Sequence, residues 1–100
     1  IKKAIKYFEL ASEKGNSEAP IALGEIYALG EGVNVDKERA FSYYLQSANK
    51  GNPVGEFRVA SSLQMGEGTK ENIPEAVKWL HKSASGDYTP AQTLLGKLYF

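Results

Sequence analysis

Apolar and small residues recur along this chain in a fixed order. One small residue comes first, two large ones follow three and four places later, and two small ones come at seven and eight places. Ala4, Tyr7, Phe8, Ala11 and Ser12 make the first copy. Ala40, Tyr43, Tyr44, Ser47 and Ala48 make the second, and Ala76, Trp79, Leu80, Ser83 and Ala84 the third. The copies lie 36 residues apart. Spacings of i, i+3, i+4, i+7 and i+8 mark one face of an α-helix and do not fit the two-residue period of a strand. A fixed period of this length signals stacked helical repeats.

The text between the copies predicts a second set of helices. The first helix runs to about Glu13 and stops at Gly15-Asn16, where a left-handed residue suits a helix end. A second helix runs from Ser17 or Glu18 to Leu29, with Ala19, Ala22, Leu23, Ile26 and Tyr27 on one side and Pro20 tolerated in its first turn. Gly30-Glu31-Gly32 ends it. Asp36 is placed to cap the third helix, which stops at Gly51-Asn52. A fourth helix follows Pro53, from about Val54 to Met65, and ends at Gly66 and Gly68, the counterparts of Gly30 and Gly32. Asn72-Ile73-Pro74-Glu75 predicts a capped start for the fifth helix, which runs to about Ser85. There the glycine comes one place early, at Gly86, before a sixth helix carries Ala91, Leu95, Gly96 and Tyr99 in register with Ala19, Leu23, Gly24 and Tyr27.

Each such helix has one apolar face that a lone pair cannot fully bury, so pairs must stack side by side. Ala4, Ala40 and Ala76 let a neighbouring backbone come close, and the large pairs fill the space between helices. Gly24 and Gly96 lie in mid-helix, where glycine costs about 1 kcal/mol relative to alanine. Both are therefore expected to serve close packing.

Several stretches together resemble the Sel-1-like repeat, the relative of the tetratricopeptide repeat. They are Leu23-Gly24-x-x-Tyr27, Gly30-x-Gly32-Val33-x-x-Asp36 and Ala40-x-x-Tyr43-Tyr44-x-x-x-Ala48. The third unit resembles it again in Pro74-x-Ala76-x-x-Trp79-Leu80 and in Ala91-Gln92-x-x-Leu95-Gly96-x-x-Tyr99. The resemblance covers essentially the whole chain. It implies an all-α solenoid of antiparallel helix pairs, a right-handed superhelix of about three units: 1–16 in part, 17–52, 53–87, and 88–100 in part. It makes the helices near 18–29, 54–65 and 90–100 the inner ones and the others outer. The middle inner helix departs most, with Gly55, Arg58, Ala60, Ser62 and Leu63 in place of Ala19, Ala22, Gly24, Ile26 and Tyr27, and looser packing is expected there. Because the chain opens at Ile1 in mid-pattern, it reads as an excerpt of a longer protein. An outer helix at one end and an inner helix at the other then expose apolar surface, and such ends invite association, self-association included, or need caps.

Charge and chemistry narrow the function. Twelve basic and twelve acidic residues cancel, so nothing resembles the basic footprint of a nucleic-acid binder. No apolar run approaches the roughly 20 residues that span a bilayer, and direct membrane insertion is not expected. The chain has no cysteine, which removes disulfides and thiolate metal sites. The paired Gly-Glu-Gly loops lack the lysine and the preceding strand of a phosphate-binding loop. His81 is the only histidine; no cysteine or second histidine is available for a metal site, and an acid-base role would need a positioned partner, so a surface or boundary position is expected. Ser12, Ser47 and Ser83 fall on small packing positions. No catalytic, metal or cofactor residue is assigned, and no enzymatic activity or cofactor is expected.

By resemblance, the inner helices line a concave surface, and residues there outside the repeated core set are the candidate binding face. The first unit supplies Ile21, Glu25 and Ala28. The second supplies Phe57, Ser61 and Gln64, and the third Thr93, Lys97 and Phe100. This stripe varies while the core repeats, and its mixture of apolar groups and both charge signs suits a peptide or a helix. The resemblance thus implies an adaptor or scaffold for a protein or peptide. The alternative is a structural spacer or oligomerisation arm that associates through its terminal repeats. Neither reading names the partner or the compartment.

Overall fold

A computed structural model describes residues 2–99 of the chain. Six helices follow one another: α1 (Lys2–Glu13), α2 (Ala19–Leu29), α3 (Lys37–Asn49), α4 (Pro53–Met65), α5 (Ile73–Ser85) and α6 (Thr89–Tyr99). Among the described residues there is no strand. The main packing runs between helices adjacent in sequence, which is the arrangement of a solenoid. The stack is elongated, 44 × 25 × 17 Å.

Local chemistry sets the helix limits, and it repeats. The Asp36 carboxylate accepts from the Arg39 N–H at 3.0 Å, and 36 residues on the Asn72 side chain accepts from the Glu75 N–H at 3.1 Å. Asn16 caps the start of α2 and Asn52 that of α4, through 2.7–3.0 Å bonds to backbone N–H groups. Gly30 and Gly66 end the inner helices in the left-handed conformation, with φ of 70° and 69°. Ends of this kind use the otherwise unpaired terminal N–H and C=O groups.

Inner and outer helices are joined by three devices. The first is a small residue under a large one. Tyr44 covers Gly24 so closely that a Cβ there would lie 2.5 Å from the ring. In the next unit Ala60 and Leu80, 0% and 1% exposed, take the same two seats. The second is a hydroxyl staple. Ser47 Oγ donates to the Ser17 carbonyl and Ser83 Oγ to the Pro53 carbonyl, each at 2.6 Å. Both serines are fully buried, so each bond satisfies a polar group that would otherwise cost about 1–3 kcal/mol. The third is a stack on the outer-helix flank: Tyr27 and Tyr43 lie 5.9 Å apart, and the Arg39 guanidinium sits 4.9 Å over the Tyr27 ring.

Three expectations need correcting. The middle inner helix is tightly packed: Val59 and Ala60 are 0% exposed and Leu63 7%. Its departures compensate one another. Gly55, in the seat of Ala19, lets the backbone close onto Ser47 and Ala48, and the larger Ala60 is matched by the smaller Leu80. Among the described residues nothing lies within 4 Å of the Cβ that Gly96 lacks. The shifted glycine also has a different meaning. Gly86 has an ordinary negative φ and closes onto the Pro53 ring, while Asp87 takes the left-handed seat, φ 63°, that Gly15 and Gly51 fill in the earlier units.

Glu56 is another exception to the packing rules. It is only 8% exposed on α4, where the other inner helices carry Pro20 and Gln92. Burial pushes its carboxyl above the usual range, and Lys82 on α5 opposes the shift.

A non-glycine residue at positive φ carries strain of about 1 kcal/mol. Asp87→Gly is therefore expected to stabilise the fold by roughly 0.5–1 kcal/mol, read as a thermal midpoint a few degrees higher. An unchanged or lower midpoint would contradict the strain. For Glu56 the folded carboxyl titrates above the unfolded one. The stability this lends is complete below the ordinary value near 4.5 and is lost as pH rises through the raised folded value. Glu56→Gln should therefore melt higher than the parent at pH 7, and the gap should close as pH falls toward 4.5. A gap that stays constant with pH would rule out the carboxylate as its source.

Candidate functional site

A cleft opens between the inner helices α2 and α4. It has a volume of about 430 Å³. Glu25, Ala28 and Leu29 line it from α2; Arg58, Ser61 and Ser62 line it from α4. Tyr44 lines it from α3, and Glu67 from the loop after α4. A smaller recess continues from it past Ala40 to Lys37.

The charged groups of the cleft and its recess are paired between elements. Arg58 Nη2 donates to Glu25 Oε1 at 3.1 Å, joining α4 to α2. Lys37 Nζ lies 3.6 Å from Glu67 Oε1. All four side chains are between about one third and one half exposed, so each pair contributes at most about 1 kcal/mol and can exchange for a ligand's charges. The Tyr44 hydroxyl stays neutral in this setting. Burial pushes its pKa up, the carboxylates of Glu25 and Glu67 add to the shift, and Arg58 works against it. The cleft therefore offers a phenol, small hydroxyls and an exchangeable pair of each sign.

Leu29 brings an exposed apolar side chain to the cleft, and Met65 holds the equivalent seat on α4. Leu29 and Met65 are the last residues of α2 and α4, 36 places apart in sequence, and are 70% and 67% exposed.

The sequence-predicted stripe is only partly brought together. Glu25, Ala28 and Ser61 share the cleft. Ile21 and Ala28 are half-buried against the first core cluster. Phe57 is not an open aromatic: it packs on the second core cluster and meets Tyr88 edge to face, with centroids 5.4 Å apart. Gln64 is half-buried, and Thr93 and Lys97 are exposed on α6 away from the cleft. Phe100 lies outside the described residues. Sequence reasoning missed Arg58, Leu29, Glu67 and Tyr44. Arg58 did carry a signal, a charge in a seat where the first unit has Ala22. Tyr44 carried none, because the stack alone accounts for its bulk.

His81 is exposed on α5. Among the described residues no group of three His, Cys, Asp or Glu side chains could hold a metal ion, and no helix is long and apolar enough to cross a membrane.

Comparison with known proteins agrees with this architecture. A Sel1 repeat family model matches residues 1–16, 17–52 and 53–88. A solved Sel1 repeat protein from Oxalobacter formigenes superimposes with a TM-score of 0.88 at 31% identity, covering 93% of this chain and 70% of that one. The chitin synthase regulator SKT5 of Saccharomyces cerevisiae is 31% identical over 84% of this chain and 12% of its own length. The DAP3-binding cell death enhancer 1 of Rattus norvegicus is 29% identical over 97% of this chain and 19% of its own. The chain thus spans less than a fifth of these two curated relatives. With the family match running unbroken from residue 1 to residue 88 and the same fold in a solved relative, the chain belongs to the Sel1 repeat family.

Proposed function

We propose that this chain is a non-catalytic adaptor that holds a protein or peptide segment on the face of its inner helices, seated in the cleft between α2 and α4. Sel1 repeat proteins are in general protein-interaction scaffolds, and relatives such as the chitin synthase regulators carry regulatory rather than enzymatic names. The observation that carries the reading is the cleft itself. It combines exchangeable pairs of both signs, the Tyr44 phenol and the exposed Leu29 on one surface.

Such a surface suits a segment with an apolar anchor and a neighbouring charge. Leu29 and Met65 would receive the anchor. The Glu25–Arg58 pair would open to match a charge of either sign, and Ser61 and Ser62 would meet backbone groups. Ile21 and Gln64 would flank the segment, with Phe57 as a buttress. Thr93 and Lys97 would extend the face along α6.

The test is selection of peptides from a displayed random library on the immobilised chain. Ser61→Arg fills the cleft and should weaken the selected peptides about tenfold or more, which is ~1.4 kcal/mol. Ser42→Arg, on the exposed side of α3, should leave them unchanged, with circular dichroism confirming that both variants fold. Equal binding by all three proteins would remove the cleft as the binding surface.

A further inference from the structure

The charges that line the cleft do not balance. Two carboxylates, Glu25 and Glu67, stand against one guanidinium, Arg58. Lys37 reaches Glu67 only from the adjoining recess, at 3.6 Å, with both side chains about half exposed. Partners that exposed and that far apart hold each other weakly and part readily. Arg58 Nη2 donates to a single oxygen of Glu25. Each pairing therefore engages one carboxylate oxygen and leaves the other to a ligand. Besides burial, Arg58, Glu25 and Glu67 all act on the Tyr44 hydroxyl, so the three charges converge on one part of the cleft.

The stack itself does not require these groups. One unit further on, the seats of Glu25, Arg58, Lys37 and Tyr44 hold Ser61, Leu94, Ile73 and Leu80. Those residues can form neither ion pair and offer no phenol, yet the core beneath them is equally well buried. The charged set is thus a property of one junction and not of the repeat. All of its members lie on α2, α3, α4 and the loop after α4. Each of those helices packs against a helix on either side in sequence, so the cleft owes nothing to the ends of the stack.

We propose that the segment held in the cleft presents a basic side chain there, seated between Glu25 and Glu67 beside the Tyr44 hydroxyl, with an apolar neighbour over Leu29. The inference rests on the cleft being the binding surface, and it fixes the sign of the charge which that surface selects. An arriving ammonium or guanidinium carries donors only. It takes the second oxygens of both carboxylates, and the hydroxyls of Tyr44, Ser61 and Ser62 add further acceptors. Arg58 stays on Glu25, and Lys37 is released to water. An acidic side chain has the opposite fate. To reach Arg58 it must enter between two carboxylates, and that repulsion rejects it. Leu29, exposed at the cleft wall, sets the place of the apolar neighbour.

Peptides selected from the random library on the immobilised chain should share an arginine or lysine beside an apolar residue. A synthetic copy with citrulline for the arginine, or acetyl-lysine for the lysine, keeps most of the shape and loses the charge. It should bind about tenfold more weakly or worse. Glu67→Gln, with melting curves verifying the fold, should weaken the charged peptide about fivefold or more and leave the neutral copy unchanged, since paired groups do not act additively. Equal losses for the two peptides would mark Glu67→Gln as a structural effect and overturn the proposal. Ser61→Arg separates the two levels. If it abolishes binding while the selected peptides share an acidic residue or no charge, the cleft is the binding surface and the basic side chain is wrong. If it changes nothing, or if no peptide is enriched, the binding surface lies elsewhere and both fall.

Discussion

The stack depends on how closely an inner helix can approach the outer helix that follows it. That distance is set by one pair of seats per unit, a small residue below and a large one above. Gly24 accepts the Tyr44 ring at a separation that leaves no room for a methyl group. Ala60 accepts the shorter Leu80, and both are almost completely buried. Once this pair is seated, the serine hydroxyl of the same outer helix reaches the carbonyl at the start of the inner helix, and the 2.6 Å staple forms in both units. The staple is a consequence of the approach, because a helix held even 1 Å further out would leave the hydroxyl buried and unpaired.

The same constraint separates structure from function along each inner helix. Residues that face the outer helices must obey the size rule. Those that face away are free to vary, and there the chain places Glu25, Arg58, Ser61 and the exposed Leu29 and Met65. Tyr44 belongs to both sets. Its ring is the large member of the packing pair, while the residue also lines the cleft, so the packing pair helps to shape the surface proposed to bind.

The period, the six helices, the caps at Asp36 and Asn72 and the glycine ends were legible in the sequence, because each rests on contacts within a few residues of itself. What was not legible depends on pairs distant in sequence. Gly55 and Arg58 looked like losses when compared with Ala19 and Ala22 alone. They make sense only beside Ser47 and Glu25, on other helices. Phe57 fell outside the repeated core set, yet Tyr88 from the next loop covers one edge of it. Asp87 holds the left-handed seat because Gly86 is engaged with Pro53, an exchange of roles that composition cannot show. A periodic sequence reveals the seats, and their occupants acquire meaning only in matched pairs.

That matching is tested most directly by moving the first unit's pair into the second. Leu80→Tyr alone sets a ring against the Ala60 methyl and should cost about 1–3 kcal/mol. Ala60→Gly alone should cost about 1 kcal/mol. Together they recreate the seating of Tyr44 on Gly24. Denaturant unfolding of the four proteins gives the coupling energy. The double variant is expected to be more stable than the sum of the single losses by about 1 kcal/mol or more, within the range measured for residues in contact. Losses that add to within about 0.5 kcal/mol would show that the two seats are filled independently, and would contradict the claim that their fit sets the spacing of the stack.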